Sequence, residues 1–315
     1  MTRHAWVFPG QGSQELGMGR SFYDAFPIAK QTFDEVDEAL GMYLSKIIFG
    51  DDAALLTRTE YAQPAIMVTS MAMVRTLEQE AGIRVAARAM CVAGHSLGEY
   101  TALCASGAMS LGDTARLLRV RGRAMQDAVP VGVGTMAAIL GLELEQVEAL
   151  LANIQNMGIV EIANDNAPGQ IVLSGTREAV EHAIQKAKDA GAKRAIELNV
   201  SAPFHCSLIA AAAEVMREAL TSITIHAPCV PLIANITADV ARDPNVIREL
   251  LVQQVTGRVR WRESVQRMAT QGVEHMLEIG HGKVLSGLNK RIHKDMGCSN
   301  LSSPEDIDAF IAMPA

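Results

Sequence analysis

The residues best suited to chemistry lie in the pentapeptide Gly94-His95-Ser96-Leu97-Gly98, where a serine stands between two glycines. The apolar run 89–94 ahead of it is too short for a helix, so it predicts a buried parallel strand. A helical pattern over 97–106 follows, with Gly107 in position to end it. This order is typical of a nucleophile elbow, whose glycines allow the strained turn that exposes the serine hydroxyl. Because helix N–H groups also face the turn, we predict that Ser96 is an acyl-transfer nucleophile and not an incidental turn serine.

A serine nucleophile needs a base, and histidine is the usual one. His95 adjoins Ser96 and faces away if the serine faces out, so we expect it to be structural. His205 lies within 200–206, at a predicted junction between two domains, and that position makes it the preferred base. A lone histidine in an apolar segment is more often a core residue, and that alternative stays open. The other histidines carry no comparable signal: His4, His182, His226, His275, His281 and His293.

Arg121 lies at the centre of the apolar stripe of a predicted helix over 111–127. Its neighbours at i±3 and i±4 are apolar: Leu117, Leu118, Ala124 and Met125. Three other arginines fall on the opposite, solvated face: Arg116, Arg119 and Arg123. A guanidinium directed into the interior must be paired. The partner is either a distant carboxylate, such as Glu99 or Asp165, or a substrate carboxylate held by a bidentate fork. Helix periodicity alone leaves these two interpretations open.

Two sets of elements position these residues and predict an α/β fold. Residues 1–130 and 201–315 are expected to form an α/β-hydrolase-like catalytic domain with a parallel sheet. Its predicted strands are 4–8, 89–94, 230–235 and 275–280, and its predicted helices include 21–40, 64–81, 97–106 and 111–127. Residues 131–200 follow the order βαββαβ, which is typical of a ferredoxin-like subdomain inserted between them. Within that subdomain the sequence predicts strands at 159–163 and 170–174, separated by a turn at 164–169.

Composition excludes several other functions. A net charge of −7 argues against a nucleic-acid partner, which requires a basic face. No apolar run approaches the ~18 residues that cross a bilayer, and Pro9-Gly10 follows the N-terminus too soon for a signal peptide. The five cysteines are odd in number and scattered, which indicates a reducing cytoplasm and neither disulfides nor a metal site. No dinucleotide or Walker motif is present, so we expect no cofactor.

Several motifs, in this order, resemble the malonyl-CoA:acyl carrier protein transacylase family over nearly the whole chain. They are Phe8-Pro9-Gly10-Gln11-Gly12-Ser13-Gln14, Gly94-His95-Ser96-Leu97-Gly98-Glu99-Tyr100, Arg121-Gly122-Arg123-Ala124-Met125-Gln126, Ala163-Asn164-Asp165-Asn166-Ala167-Pro168-Gly169-Gln170, Ser201-Ala202-Pro203-Phe204-His205, and Gln254 ahead of Val259-Arg260-Trp261. The resemblance implies that Ser96 is acylated, that His205 is its base and that Arg121 binds the malonyl carboxylate.

The resemblance also assigns the supporting roles. Backbone N–H groups of Gln11 and Leu97 are expected to bind the oxyanion. A backbone carbonyl in place of a third acidic residue is expected to orient the histidine. Two adjacent glutamines fit that carbonyl, and the distance to Trp261 favours Gln254 over Gln253. Two further residues are expected to contact the substrate: Phe204, which favours malonyl over bulkier acyl groups, and Asn164.

The implied reaction is ping-pong transfer of malonyl from malonyl-CoA to the phosphopantetheine thiol of an acyl carrier protein, through a malonyl-serine. We expect a cytoplasmic monomer with no membrane partner. An acidic carrier would need a local basic surface, and two are available. One is Arg116, Arg119 and Arg123, and the other is Lys283, Lys290, Arg291, His293 and Lys294; a merely solvated helix face is the alternative for both.

Two rival classes remain. A serine esterase of the α/β-hydrolase type shares the elbow, but it would need an acidic triad member. A non-catalytic carrier-docking subunit would not need the set of Ser96, Arg121 and His205. Within the family, fatty-acid synthesis, polyketide synthesis and malonate decarboxylation stay open, and the short, single-function chain favours fatty-acid synthesis.

Overall fold

The computed structural model describes residues 3–200 and 202–312, so Ser201 of the motif before His205 lies outside the described residues. The chain has an α/β fold with two sheets in these ranges. The strands are β1 His4–Phe8, β2 Ala89–Gly94, β3 Gly134–Leu140, β4 Val160–Ala167, β5 Gln170–Thr176, β6 Arg194–Glu197, β7 Leu232–Ile233, β8 Val240–Ala241, β9 His275–Ile279 and β10 Gly297–Leu301.

Fifteen α-helices accompany the two sheets in the described ranges. They are α1 Arg20–Ala25, α2 Pro27–Leu40, α3 Leu44–Ile48, α4 Ala53–Thr57, α5 Thr59–Ala81, α6 Val85–Arg88, α7 Leu97–Ala105, α8 Leu111–Asp127, α9 Leu144–Ala152, α10 Arg177–Asp189, α11 Ala210–Thr221, α12 Pro244–Thr256, α13 Trp261–Thr270, α14 Val284–Ile292 and α15 Glu305–Ile311. None of the helices within the described ranges is both long and apolar enough to span a bilayer.

The larger sheet has the order β10-β9-β1-β2-β7-β8, and its strands are parallel except for the edge pair β7 and β8. Alternate residues of β1 lie on opposite faces of this sheet. Trp6 and Phe8 belong to one apolar cluster, and Ala5 and Val7 belong to a second cluster that contains Trp261. A strand buried on both faces is apolar at every position, which explains the continuous apolar runs.

The two central strands, β1 and β2, bring the first loop against the elbow. They pair in parallel, with Phe8 opposite Gly94, so both end at the same edge of the sheet. The His95 N–H then donates to the Phe8 carbonyl at 3.0 Å. Ligands of open parallel sheets bind in the crevice beyond the carboxyl ends of the strands, which is where this edge lies.

The smaller sheet is antiparallel with the order β4-β5-β3-β6. Together with α9 and α10 it gives the element order strand, helix, strand, strand, helix, strand between residues 134 and 197. It touches the larger unit through β4, where the Asp165 N–H donates to the Val259 carbonyl at 2.9 Å.

Three predicted elements need correction. The turn predicted at 164–169 is wrong, because β4 continues to Ala167 by pairing with β5 and only Pro168 and Gly169 remain as the turn. The predicted helix 21–40 is two helices, because the extended Phe26 ends the first and Pro27 begins the second. The predicted strand 230–235 is paired only at Leu232–Ile233, since the chain turns at Asn235 toward the elbow.

Candidate active site

The backbone of the elbow packs so closely that neither of its two glycine positions has room for a side chain. A Cβ on Gly94 would lie 1.9 Å from the Gly98 backbone, and a Cβ on Gly98 would lie 2.3 Å from the Phe8 carbonyl oxygen. This close packing of β1, β2 and α7 leaves Ser96 with a φ of 54° and a ψ of −110°. A serine with positive φ is strained, and the turn directs its hydroxyl away from the sheet.

His205 contacts the serine directly. Its Nε2 lies 2.7 Å from Ser96 Oγ, and its Nδ1 lies 2.8 Å from the backbone carbonyl oxygen of Gln254. A carbonyl can only accept, so Nδ1 carries the proton and Nε2 is the acceptor for the serine hydroxyl. The partner is therefore Gln254 and not Gln253. Burial, followed by the charge of Arg121, lowers the pKa of His205 to about 3. Its neutral form is the one present near neutral pH.

Arg121 lies on the buried face of α8, as its periodicity predicts, and it reaches the serine. Its Nη2 donates to Ser96 Oγ at 3.1 Å and to Gln254 Oε1 at 2.7 Å, and its Nη1 donates to Gln63 Oε1 at 2.9 Å. Among the described residues no carboxylate oxygen lies within 4 Å of its nitrogens. Asp165, one of the two carboxylates considered from sequence, pairs instead with Arg262 at 2.9 Å.

The guanidinium is thus buried and uncompensated by direct contact. Arg121 is 1% exposed, and burial lowers its pKa, while the Tyr100 ring lies 5.5 Å away. Neutral amides and a hydroxyl satisfy three of its N–H groups but supply no negative charge. A buried charge of this kind is costly unless an anion joins it, which makes the site suited to an anionic ligand.

The residues predicted to bind the oxyanion and the substrate, apart from Leu97, line one cavity of about 1130 Å³. Leu97 is the first residue of α7, so its N–H has no acceptor within the helix. Gln11 follows β1 at the cavity wall, where its side chain reaches Thr59 Oγ1 at 3.4 Å. Phe204 and Asn164 line the same cavity, and Asn164 comes from the smaller sheet.

Two contributors escape the sequence analysis. Asn235 fixes the elbow, because its Oδ1 accepts from the Ser96 N–H at 2.8 Å and its Nδ2 donates to the Gly94 carbonyl at 2.7 Å. The feature of the sequence that indicates this role is a polar residue at the end of an apolar strand. Gln63 holds Arg121 from the buried interior of α5, and a glutamine among apolar residues was the corresponding signal.

His95 has the structural role expected of it. Its Nε2 lies 2.8 Å from Asn166 Oδ1, which joins the elbow to the end of β4, and burial lowers its pKa. Within the described ranges no cluster of three metal-binding side chains occurs. The five cysteines are unpaired, and burial raises the pKa of both Cys91 and Cys104 to about 12, which keeps them as thiols.

Comparison with known proteins assigns this chain to a family. The family model described as acyl transferase domain matches residues 5–303, so the protein is an acyltransferase by class. The malonyl CoA-acyl carrier protein transacylases of Bacillus subtilis and Escherichia coli K12 are 46% and 42% identical, over 99% of this chain and 97% and 100% of theirs. This chain therefore belongs to the malonyl CoA-acyl carrier protein transacylase family.

Solved structures place the fold in the same family. An acyl-carrier-protein-S-malonyltransferase from Bartonella henselae is 51% identical, with a TM-score of 0.96 and 98% of both chains covered. A malonyl-transacylase solved in complex with a type II PKS acyl-carrier protein is 39% identical, with a TM-score of 0.94 over 98% of this chain and 99% of that one.

Proposed function

We propose that this protein transfers malonyl from malonyl-CoA to the phosphopantetheine thiol of an acyl carrier protein, through a malonyl ester on Ser96. The observation that carries the proposal is the Arg121 guanidinium, which is buried, has no carboxylate of the described residues within 4 Å and lies 3.1 Å from Ser96 Oγ. A malonyl thioester carries a terminal carboxylate, the kind of anion that a guanidinium binds through a bidentate fork. The names of the relatives support the same acyl group and acceptor.

In the first half-reaction His205 Nε2 takes the proton of the Ser96 hydroxyl as Oγ attacks the thioester carbonyl carbon. The Gln11 and Leu97 N–H groups stabilise the tetrahedral oxyanion. The carbon–sulfur bond then breaks, and protonated His205 returns the proton to the departing CoA sulfur. The malonyl ester of Ser96 and free CoA are the products.

In the second half-reaction the carrier's thiol follows the same path in reverse. His205 takes the thiol proton, the sulfur attacks the ester carbonyl, and Ser96 Oγ leaves with the proton. The carboxylate held by Arg121 keeps the acyl group oriented between the two steps, and a filled cavity leaves little room for water. The cavity is large enough for the phosphopantetheine group of CoA or of the carrier, since pockets for drug-sized ligands measure ~300–1,000 Å³.

The histidine contact favours a transferase of this kind over a serine esterase. A hydrolase triad would place a carboxylate on His205 Nδ1, whereas here the acceptor is the Gln254 carbonyl. A non-catalytic docking subunit would not retain a histidine and an arginine that both lie within hydrogen-bond distance of the same serine.

We further propose the domain organisation predicted from sequence. Residues 1–130 and 201–315 form an α/β-hydrolase-like catalytic domain, and 131–200 form a ferredoxin-like subdomain. The parallel sheet with an elbow after β2 supports the first description. The strand order β4-β5-β3-β6 within a strand-helix-strand-strand-helix-strand unit supports the second.

The carrier is proposed to dock beside α14. Val284, Leu285 and Leu288 of this helix line the cavity, and Lys290 is exposed on it. The other basic face is partly neutralised, because Arg116 pairs with Asp113 at 2.8 Å and Arg123 lies 3.6 Å from Asp127. The pathway is proposed to be fatty-acid synthesis, carried out by a monomer in the cytoplasm, and the unpaired cysteines fit a reducing compartment.

Intact-protein mass spectrometry after incubation with malonyl-CoA tests the function. The wild type should gain one malonyl group that maps to Ser96, and added holo carrier protein should remove it. Ser96→Ala should gain none. An adduct that persists on Ser96→Ala, or a wild-type adduct that water removes as fast as the carrier does, would refute the proposal.

A further inference from the structure

A buried carboxylate beneath the site has no role in the mechanism above. Glu99, the third residue of α7, is 1% exposed, and no described cationic nitrogen lies within 4 Å of its oxygens. Its Oε2 accepts from Gln254 Nε2 at 2.5 Å, and its Oε1 accepts from the Asn235 N–H at 3.3 Å. Arg121 acts on it through space and not by contact. Glu99, the second carboxylate considered from sequence as a partner of Arg121, therefore makes no direct pair with it.

The two residues that Glu99 holds are those that fix the reacting groups. Gln254 supplies the carbonyl for His205 Nδ1, and its Nε2 also donates to the Ser96 carbonyl at 2.9 Å. Asn235 holds the Ser96 N–H and the Gly94 carbonyl. One carboxylate thus lies behind both the base and the nucleophile, although it touches neither.

The orientation of the Gln254 amide depends on its neighbours. Arg121 can only donate and an ionised Glu99 can only accept, so the amide must turn its oxygen to Arg121 and its nitrogen to Glu99. In that orientation both Nε2 hydrogens and the oxygen are bonded. The reverse orientation would set an NH₂ group against the guanidinium and an oxygen against the carboxylate.

We infer that Glu99 is a positioning residue for the reaction proposed above. As a carboxylate it fixes the Gln254 amide against Arg121, and through Gln254 and Asn235 it holds His205 and Ser96 in register. The inference rests on the proposed function, because it concerns the geometry of that same site.

The charge of Glu99 matters because both of its oxygens accept hydrogen bonds. Protonation would turn one oxygen into a donor facing another donor, so one of the two contacts would be lost. Burial raises the pKa of Glu99 to about 7, against lowering by Gln254, Asn235 and Arg121. Of the other ionisable groups around it, burial raises the pKa of Tyr100 to about 12, burial lowers the pKa of His205 to about 3 and also lowers that of His95, and Arg121 stays charged.

The pH dependence of acylation tests the inference. Single-turnover release of CoA is measured from about pH 5 to about pH 9 for the wild type, Glu99→Gln and Glu99→Ala. The wild-type rate should fall on the acidic side of neutrality. Glu99→Gln keeps one acceptor and one donor at every pH. At pH 8 it should therefore react as slowly as the wild type does at acidic pH, and its rate should show no further fall on the acidic side. Glu99→Ala should be about 10–100-fold slower, because a buried donor of Gln254 is left unpaired.

Controls separate this role from fold stability and from the proposed function. Asp37→Asn changes another buried carboxylate, which holds Ser45, and should leave the rate and its pH profile unchanged. If Glu99→Ala does not fold, Glu99→Gln and the wild-type profile still decide the question. A wild type without an acidic limb, or Glu99→Gln that keeps both the rate and the limb, overturns the inference. A wild type that forms no Ser96 adduct refutes the proposed function instead.

Discussion

Arg121→Ala offers the most direct test of how the site selects its acyl group. The change removes the donor to Ser96 Oγ, Gln63 and Gln254, and with it the cation available to a substrate carboxylate. Hydrogen bonds to charged groups contribute about 1.5–3 kcal/mol each, so a bidentate pair contributes about 3–6 kcal/mol. At about 1.4 kcal/mol per tenfold, kcat/KM for malonyl-CoA should fall by about 10²–10⁴-fold.

Acetyl-CoA supplies the comparison, because it has no terminal carboxylate. For this substrate no pair with the acyl group is lost, only the donors to Ser96 Oγ, Gln63 and Gln254 and the packing, so its transfer should fall by about tenfold or less. Both substrates are assayed by release of CoA, and the free energy of unfolding is measured for each variant. Arg116→Ala, on the exposed face of the same helix, should leave both rates unchanged. Arg121→Lys keeps the charge without the fork and should lie between the wild type and the alanine variant.

Equal losses for malonyl-CoA and acetyl-CoA in Arg121→Ala would refute the carboxylate role. They would show that the guanidinium acts on Ser96 or on the fold and not on the acyl group. If Arg116→Ala had an effect comparable to that of Arg121→Ala, the loss would come from removing any positive charge of α8 and not from a contact of Arg121.

Three further predictions concern packing, acid stability and the carrier. Gly98→Ala should cost about 1–3 kcal/mol or more in urea unfolding, since its Cβ would lie 2.3 Å from the Phe8 carbonyl, whereas Gly287→Ala, with nothing within 4 Å, should be neutral or stabilising. The pKa of His205 is lowered from 6.5 to about 3, so the unfolded state binds the extra proton, and lowering the pH from 6.5 to about 3 reduces the free energy of unfolding by up to about 1.4 kcal/mol per pH unit. The raised pKa of Glu99 has the opposite effect on stability between pH 4.5 and about 7. His205→Gln should therefore reduce the dependence of unfolding free energy on pH most clearly between pH 3 and 4.5, and an unchanged dependence there would contradict the assignment. Lys290→Glu should raise KM for carrier protein a few-fold without slowing malonyl-enzyme formation, and a larger effect of Arg116→Glu would move the docking face to α8.

The parts of the site set by local sequence could be predicted. The elbow follows from glycine spacing within five residues, and the inward direction of Arg121 follows from helix periodicity. Both depend on neighbours along the chain. The roles of His205 and of a carbonyl came from resemblance, and two adjacent glutamines could not be separated until α12 showed which carbonyl faces the histidine.

The remaining contacts join residues that are far apart in sequence. Glu99 meets Asn235 and Gln254 across 136 and 155 positions, and no local pattern encodes such pairs. The turn predicted at 164–169 failed for a related reason. Asparagine and aspartate favour turns when their side chains bond to nearby backbone, but Asn166 bonds to His95 and Asp165 bonds to Arg262. Those partners release the backbone to pair as a strand.

Ser96 and His205 are two of the three non-glycine residues with positive φ in the described chain, with values of 54° and 59°. At both positions glycine would suit the backbone better, and the side chain to which we assign a reactive role is present despite the strain. Directed evolution for thermal tolerance alone would therefore favour inactive replacements at these two positions. A positive φ at a serine or histidine is also visible before any chemistry is known. In an enzyme of this architecture, a backbone scan for such residues would find the proposed nucleophile and its proposed base without a substrate.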